Sequence, residues 1–340
     1  MIPIFDGHND ALTRPDYTGF VSGRPGGDLD LPRMESGGLR GAIFAIFSPS
    51  PDERMEPLPR DDEVIEFEYA ESVAQPEAAG YATAAAGRLA ALASSGHLRL
   101  VENVAQLDEC AVSGPPAAIL HLEGAEAIDT ELEALDLWYA AGLRSLGPVW
   151  SRANAFAHGV PFISPSSPDT GPGLTAAGTR LVRRCAELGI LVDVSHLNEA
   201  GFWDLARLES GPIVASHSAA HALCPTSRNL TDAQLDEIAR TGGLVGIVFA
   251  CPFLRADFAE DRDTPIELIA EHARYVADRI GTEHVALGSD FDGALIPAAL
   301  GGAAGLPRLL DALREAGFSE DQLRDVAWGN WRRVLDAWWH

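Results

Sequence analysis

The sequence predicts an α/β chain of the (β/α)8, TIM-type barrel class, and three observations lead there. Eight short apolar runs recur along the 340 residues, at 2–5, 40–47, 117–122, 144–150, 190–194, 212–215, 243–250 and 285–287. They alternate with helical patterns, and each is continuous, as parallel strands buried on both faces should be. Ligand-type side chains follow several of the runs, at the strand ends where such barrels keep their chemistry.

Taken in order, residues 2–5 are bounded by Gly7 and read as a buried strand rather than a helix start. Residues 11–37, rich in Gly, Pro and Asp, are expected to form a long functional loop. The strand 40–47 is closed by Ser48-Pro49, and the Ala-rich stretch 61–95 is expected to be helical, broken in two at Pro76. The third strand ends in Glu123-Gly124; a helix over 131–142 leads into the fourth, and 151–173 reads as another loop.

The second half repeats this beat. A helix from Leu174-Thr175 to Leu188 is capped by Gly189, and the fifth strand ends in Ser195-His196. Asn198 can cap a helix to about 208, and the sixth strand ends in Ser216-His217-Ser218. Thr231 caps a helix to Arg240, strand seven follows, and a helix over 264–280 ends at Gly281. Strand eight runs into Gly288-Ser289-Asp290-Phe291-Asp292-Gly293, and helices at 303–316 and 319–338 close the chain. Neither a low-complexity linker nor an internal repeat interrupts the alternation, so residues 1–340 are expected to form a single barrel domain with C-terminal helices.

Composition narrows the function. The formal net charge of -25 argues against nucleic acid, whose phosphates want a basic surface, and against anionic membranes. All 25 basic residues are Arg. The absence of Lys excludes a Schiff-base lysine, a P-loop lysine and a carbamylated-lysine metal bridge. No apolar run reaches the ~18 residues of a membrane span, and no leader-like segment precedes the first strand, so the expected setting is cytoplasmic. Cys110, Cys185, Cys224 and Cys251 lack metal-type spacing; free thiols are expected, with a Cys224–Cys251 bridge left open.

The strand ends carry the chemistry. His8 and Asp10 follow strand one at positions that share a face. Glu123 ends strand three, His196 strand five, His217 strand six and Asp290 strand eight. Parallel strands bring these ends to one mouth, and imidazole with carboxylate suits zinc, manganese or cobalt. The set divides into His8 with Asp10 and His196 with His217, Glu123 being the natural bridge. Two metals about 3.5–4 Å apart could then share a hydroxide. Asp290 is left for proton transfer, accepting the proton of the water and passing it to a leaving amine.

The ordered fragments Asp6-Gly7-His8-Asn9-Asp10, Leu122-Glu123-Gly124, Val194-Ser195-His196, Ser216-His217-Ser218, Ser227-Arg228-Asn229, Gly288-Ser289-Asp290-Phe291-Asp292-Gly293 and Gly329-Asn330-Trp331 resemble the membrane (renal) dipeptidase family over nearly the whole chain. The resemblance implies a zinc metallopeptidase of the amidohydrolase-like barrel type, with the same division of ligands and the same shuttle. It adds Arg228 as the group that binds a dipeptide's C-terminal carboxylate, a role for which a guanidinium fork is suited. Relatives often accept a D-residue on the C-terminal side.

One departure stands out. Where the family carries a histidine after the fourth strand, this chain has Trp150, an N–H donor that cannot carry charge. Stabilisation of the tetrahedral intermediate then falls to the metals with Trp150, or to Arg152 or His158 in the next loop. Other readings are a hydrolase of a lactone, cyclic amide or phosphoester, and a metal-binding protein that has lost catalysis. His121 is expected to face away from Glu123 against a helix, His221 to be structural, and Asp292 to support Asp290. His97, His272, His284 and His340 have no supporting context. The Trp residues of 328–339 read as a helix packed on the barrel, with a homodimer contact as the other reading.

Overall fold

A computed structural model describes residues 2–50, 57–59 and 62–339. Its centre is a ring of eight parallel strands: β1 (Ile4–Asn9), β2 (Leu39–Phe47), β3 (Ala117–Glu123), β4 (Leu143–Gly147), β5 (Leu191–Val192), β6 (Val214–Ser218), β7 (Leu244–Ile247) and β8 (Val285–Leu287). The first five form one parallel sheet and the last three another. Parallel bridges Asp193↔Val214 and Asn9↔Phe291 join their edges and close the ring. The expected (β/α)8 barrel is therefore observed, with every barrel strand in its expected place to within a few residues.

Local chemistry explains the register. A Cβ on Gly246 or Gly288 would stand 1.9 Å from the Ser216 carbonyl, so β6, β7 and β8 can approach only with glycine there. β1, β3 and β6 are buried along their whole length. The surrounding helices start where capping residues allow: Thr175 accepts from the Gly178 N–H, Asn198 from that of Gly201, and Thr231 forms a capping box with Gln234. They begin helices Ala176–Leu188, Glu199–Leu208 and Asp232–Arg240, close to the expected bounds.

Three expectations change. The 11–37 segment is not all loop: Asp30 caps a helix at Leu31–Gly37, accepting from the Arg33 N–H. Pro76 does not split a helix but lies in the first turn of Gln75–Ser94, where its missing N–H has no partner to lose. The 151–173 loop contributes a short strand, Ile163–Ser164, paired antiparallel with Ile65–Glu66. Residue 61, where the Ala-rich stretch was expected to begin, and His340 lie outside the described residues.

The C-terminal segment plugs the barrel floor. Trp331 is fully buried, its ring 5.5 Å from Phe5 and its indole N–H donating to the Leu287 carbonyl at 2.9 Å. Trp328 and Trp338 are buried too, so these three side chains are used within the chain. All four cysteines are buried free thiols; Cys224 does not pair with Cys251, and its Sγ lies 3.0 Å from the Arg255 carbonyl. No described helix is long and apolar enough to cross a membrane.

Candidate functional site

The six residues expected at the barrel mouth converge. His8 Nε2 lies 3.6 Å from Asp10 Oδ2 and 3.5 Å from Glu123 Oε1. The same Glu123 oxygen stands 2.9 Å from His196 Nε2 and 3.5 Å from His217 Nε2, and the two imidazole nitrogens are 3.1 Å apart. Glu123, His196 and His217 form one group with ligand atoms close enough for a cation; His8, Asp10 and Asp290 form another. Glu123 stands between them.

The donor set fits metal. Nε2 of His8 is buried without a hydrogen-bond partner, which a cation would supply. The far nitrogens of the other two rings are already held: Nδ1 of His196 lies 2.9 Å from Ser151 Oγ, and Nδ1 of His217 lies 2.8 Å from Ser216 Oγ. Partners of this kind fix which nitrogen faces the ion.

Electrostatics distinguish the groups. Burial works against charge on His8, but Glu123 and Asp10 hold its pKa well above the ordinary value. Burial, with the neighbouring positive charges of Arg228 and His8, pushes His196 down to about 4; burial and His8 push His217 well below 6.5. Those two rings present neutral lone pairs, the form a metal binds. Glu123 is held well below the ordinary carboxylate range because its imidazole neighbours outweigh its burial. Asp290 goes the other way: burial, helped by Asp10 and Glu123, lifts it to about 7.

Backbone geometry presents Asp290. It has φ 61°, and Asp292 has φ 68°, left-handed conformations uncommon outside glycine. A Cβ on Gly293 would come within 2.2 Å of Asp10 Oδ2 and 2.7 Å of Asp290 Oδ1, so this glycine lets the two carboxylates come together. Asp292 does not touch the ligand group. Its buried carboxylate pairs with the buried Arg24 guanidinium and accepts from the Asp28 N–H at 2.7 Å, tying the strained turn to the 24–30 loop.

Arg228 is buried at the same mouth but absent from the cavity wall. It donates to the Ser218 hydroxyl and the His217 carbonyl, both at 2.8 Å, and lies 3.3 Å from His196 Nε2, while its own Nε has no partner. Trp150 does line the cavity, its ring 5.8 Å from that of His196. Arg152 is engaged elsewhere: it pairs with Glu126 at 2.8 Å and donates to the Ser48 carbonyl and the Ser50 hydroxyl. His158 lies 3.3 Å from the Gly173 carbonyl, and His221 2.8 Å from that of Ser166.

His121 corrects an expectation. It is two residues before Glu123 and therefore shares its face. Its ring lies 5.6 Å from that of His8, and Nδ1 is 2.8 Å from Ser145 Oγ.

Sequence reasoning also missed the polar floor. Asp193 accepts from the backbone N–H and hydroxyl of both Ser195 and Ser216. It lies within ligand reach of His8 and His217, but three of those bonds fall on Oδ1 and one on Oδ2, so it reads as a brace for the serines. A carboxylate inside an apolar strand was the available signal. Asp6 does the same beside β8, accepting from the Ser289 N–H at 2.7 Å.

A barrel with carboxylates and imidazoles gathered at the C-terminal strand ends defines the class of metal-dependent hydrolases. The chain belongs to the membrane dipeptidase family, peptidase family M19, whose model matches residues 1–338. It is thus a metal-dependent hydrolase of peptide bonds from a dipeptidase family. It is 49% identical over 246 residues, 72% of this chain and 91% of that protein, to an uncharacterized protein in the pqqA 5′ region of Klebsiella pneumoniae. A metallo peptidase from Rhodobacter sphaeroides, solved with a phosphinate mimic of the dipeptide L-Ala-D-Ala, has a TM-score of 0.92, 43% identity and 99% coverage of both chains. The solved dipeptidase AC, also of family M19, has the same TM-score and coverage at 44% identity.

Proposed function

We propose that residues 1–340 act as one catalytic domain, a dipeptidase using two divalent metal ions, zinc being the pair the ligands suit. The observation that carries this reading is Glu123, whose Oε1 is within 3.5 Å of the ring nitrogens of His8, His196 and His217. His8, Asp10 and Glu123 would hold one ion, and Glu123, His196 and His217 the other. When bound, such a pair lowers the pKa of a shared water and polarises the scissile carbonyl.

The chain's own residues supply the rest. Asp290, half-buried beside Asp10 and lifted to about 7, is poised to take a proton from water and return it to the departing amine. The Arg228 guanidinium, whose Nε is unpartnered, would bind the substrate's carboxylate. The Trp150 ring covers one side of the mouth, excluding water. The phosphinate mimic of L-Ala-D-Ala bound by the Rhodobacter relative supports an L-Xaa-D-Xaa substrate here as well. The four buried free thiols support a reducing, cytoplasmic setting.

The test is hydrolysis of L-Xaa-L-Xaa and L-Xaa-D-Xaa dipeptides by protein stripped with a chelator and then reloaded with zinc. Activity is expected to vanish on stripping and return on reloading. Turnover that survives complete metal removal would reject the reading.

A further inference from the structure

Six aromatic side chains form a continuous arc over the site. In order they are Phe47, Trp150, Phe162, Phe253, Phe258 and Phe67, successive ring centres lying 4.6, 5.9, 5.7, 6.1 and 6.1 Å apart. All six line the cavity of about 280 Å³ whose wall also includes Glu123, His196, Asp10 and Asp290. They come from five separate stretches of chain, so the arc is assembled by the fold. Phe258 has φ 55°, a conformation costly for a bulky residue and one that marks functional constraint when the surroundings enforce it.

The two walls differ in chemistry. Asp10 and Glu123 are committed to the ions in the dipeptidase reading, which leaves Glu260 at the exposed rim as the acid that suits a substrate's ammonium and repels an acidic side chain. The arc instead offers apolar surface, which rewards burial of an apolar group and gives nothing to a small one. Its place relative to the ends of a dipeptide follows from two contacts. Trp150 and Phe162 stand 5.8 and 6.5 Å from the His196 ring, and Phe253 lies 5.6 Å from the Arg228 guanidinium. The arc is therefore on the side where Arg228 would take the carboxylate.

We propose that the arc selects dipeptides whose C-terminal residue carries a large apolar side chain, leucine-sized or aromatic, and that Phe258 and Trp150 are specificity-determining residues. The inference rests on the dipeptidase reading. A side chain lodged among these rings loses water and gains ring contacts, whereas alanine leaves the arc unfilled.

The test measures kcat/KM of the zinc-loaded wild type on L-Ala-Xaa and Xaa-L-Ala series, with Xaa as Ala, Leu or Phe in either configuration at the C-terminal position. Leu and Phe at that position are expected to exceed Ala by at least about tenfold, with a much smaller spread in the N-terminal series. Phe258→Ala and Trp150→Leu should each shrink the C-terminal preference, seen as a ratio of substrates within one variant. If L-Ala-L-Ala and L-Ala-D-Ala are cleaved as well as the larger substrates, or if size matters only at the N-terminal residue, the arc proposal is overturned and the dipeptidase reading stands. If no dipeptide in either series is cleaved, the dipeptidase reading itself fails.

Discussion

Asp290 carries a burden no neighbour can share. Asp10 and Glu123 face ring nitrogens of the imidazoles, whereas Asp290 is lifted to about 7 by burial and by those two carboxylates. Asp290→Asn keeps the shape and would remove the proposed proton acceptor. It is expected to lower kcat by about 10²–10⁴-fold while metal content, measured by elemental analysis, stays at the wild-type level. Full turnover with metal retained would exclude the role. For Arg228, replacement by Met should raise KM for dipeptides much more than for substrates lacking a C-terminal carboxylate; an unchanged ratio between the two would dismiss the assignment.

Residue-scale reading from sequence succeeded where chemistry and periodicity coincide. The strand-end position of His8, Asp10, Glu123, His196 and His217 predicts convergence because all parallel strands end on one face. It failed where a side chain's partners come from distant turns. Nothing local announces that Arg152 is consumed by Glu126, Ser48 and Ser50, or that Asp292 meets Arg24 across the mouth. The His121 error was one of counting along a strand.

At the scale of elements, two connections hold the mouth in shape. The turn that follows β8 depends on the Arg24–Asp292 pair, both partners fully buried at the side chain. Removing only the acid, as in Asp292→Ala, leaves the buried guanidinium with Asp16 at 3.5 Å as its remaining carboxylate and is expected to cost about 3 kcal/mol in denaturant unfolding. A cost near zero would mean that water or another acid replaces Asp292. The second connection is His272 on helix Glu267–Ile280, whose Nδ1 accepts from the Ala220 N–H at 3.0 Å and whose Nε2 faces the Leu254 carbonyl at 3.1 Å. It links the segments after β6 and β7.

Burial lowers the pKa of His272 to about 4, against the ordinary 6.5. The unfolded chain therefore takes up a proton between pH 6.5 and 4 that the folded chain refuses. Stability from this residue is complete above pH 6.5 and is lost as pH falls through that window, by up to about 3 kcal/mol. His272→Gln should flatten the fall of the urea midpoint between pH 7 and 4, compared with wild type under the same metal-free conditions. An identical pH slope in the two proteins would contradict this.

The same scale shows which elements a sequence reveals. Helix starts at Thr175, Asn198 and Thr231 were legible because a capping side chain is a local signal. The two-residue strands Ile65–Glu66 and Ile163–Ser164 were not, since such a pairing depends on a partner nearly a hundred residues away and carries too little periodicity to register.

For the whole molecule, closure of the barrel and assembly of its mouth are one event. Closure by Asp193↔Val214 and Asn9↔Phe291 places β1 beside β8 and β5 beside β6, the neighbours that carry His8 with Asp290 and His196 with His217. Glu123 arrives on β3 with the reach to meet both groups. The fold and the convergence of the ligand-type side chains were readable in the order of the strands, but the aromatic arc was not. Phe47 ends β2, but the other five rings lie on connecting segments whose path is set only after the barrel closes.

The dipeptidase reading rests on Glu123 joining two ions in one centre. The most direct measurement is a crystal structure of the zinc-loaded protein with anomalous data at the zinc edge. Two sites about 3.5–4 Å apart, each touched by Glu123 and flanked by the His8–Asp10 and His196–His217 pairs, are the expected result. A single site, or two with Glu123 bound to neither, would rule out the two-ion centre.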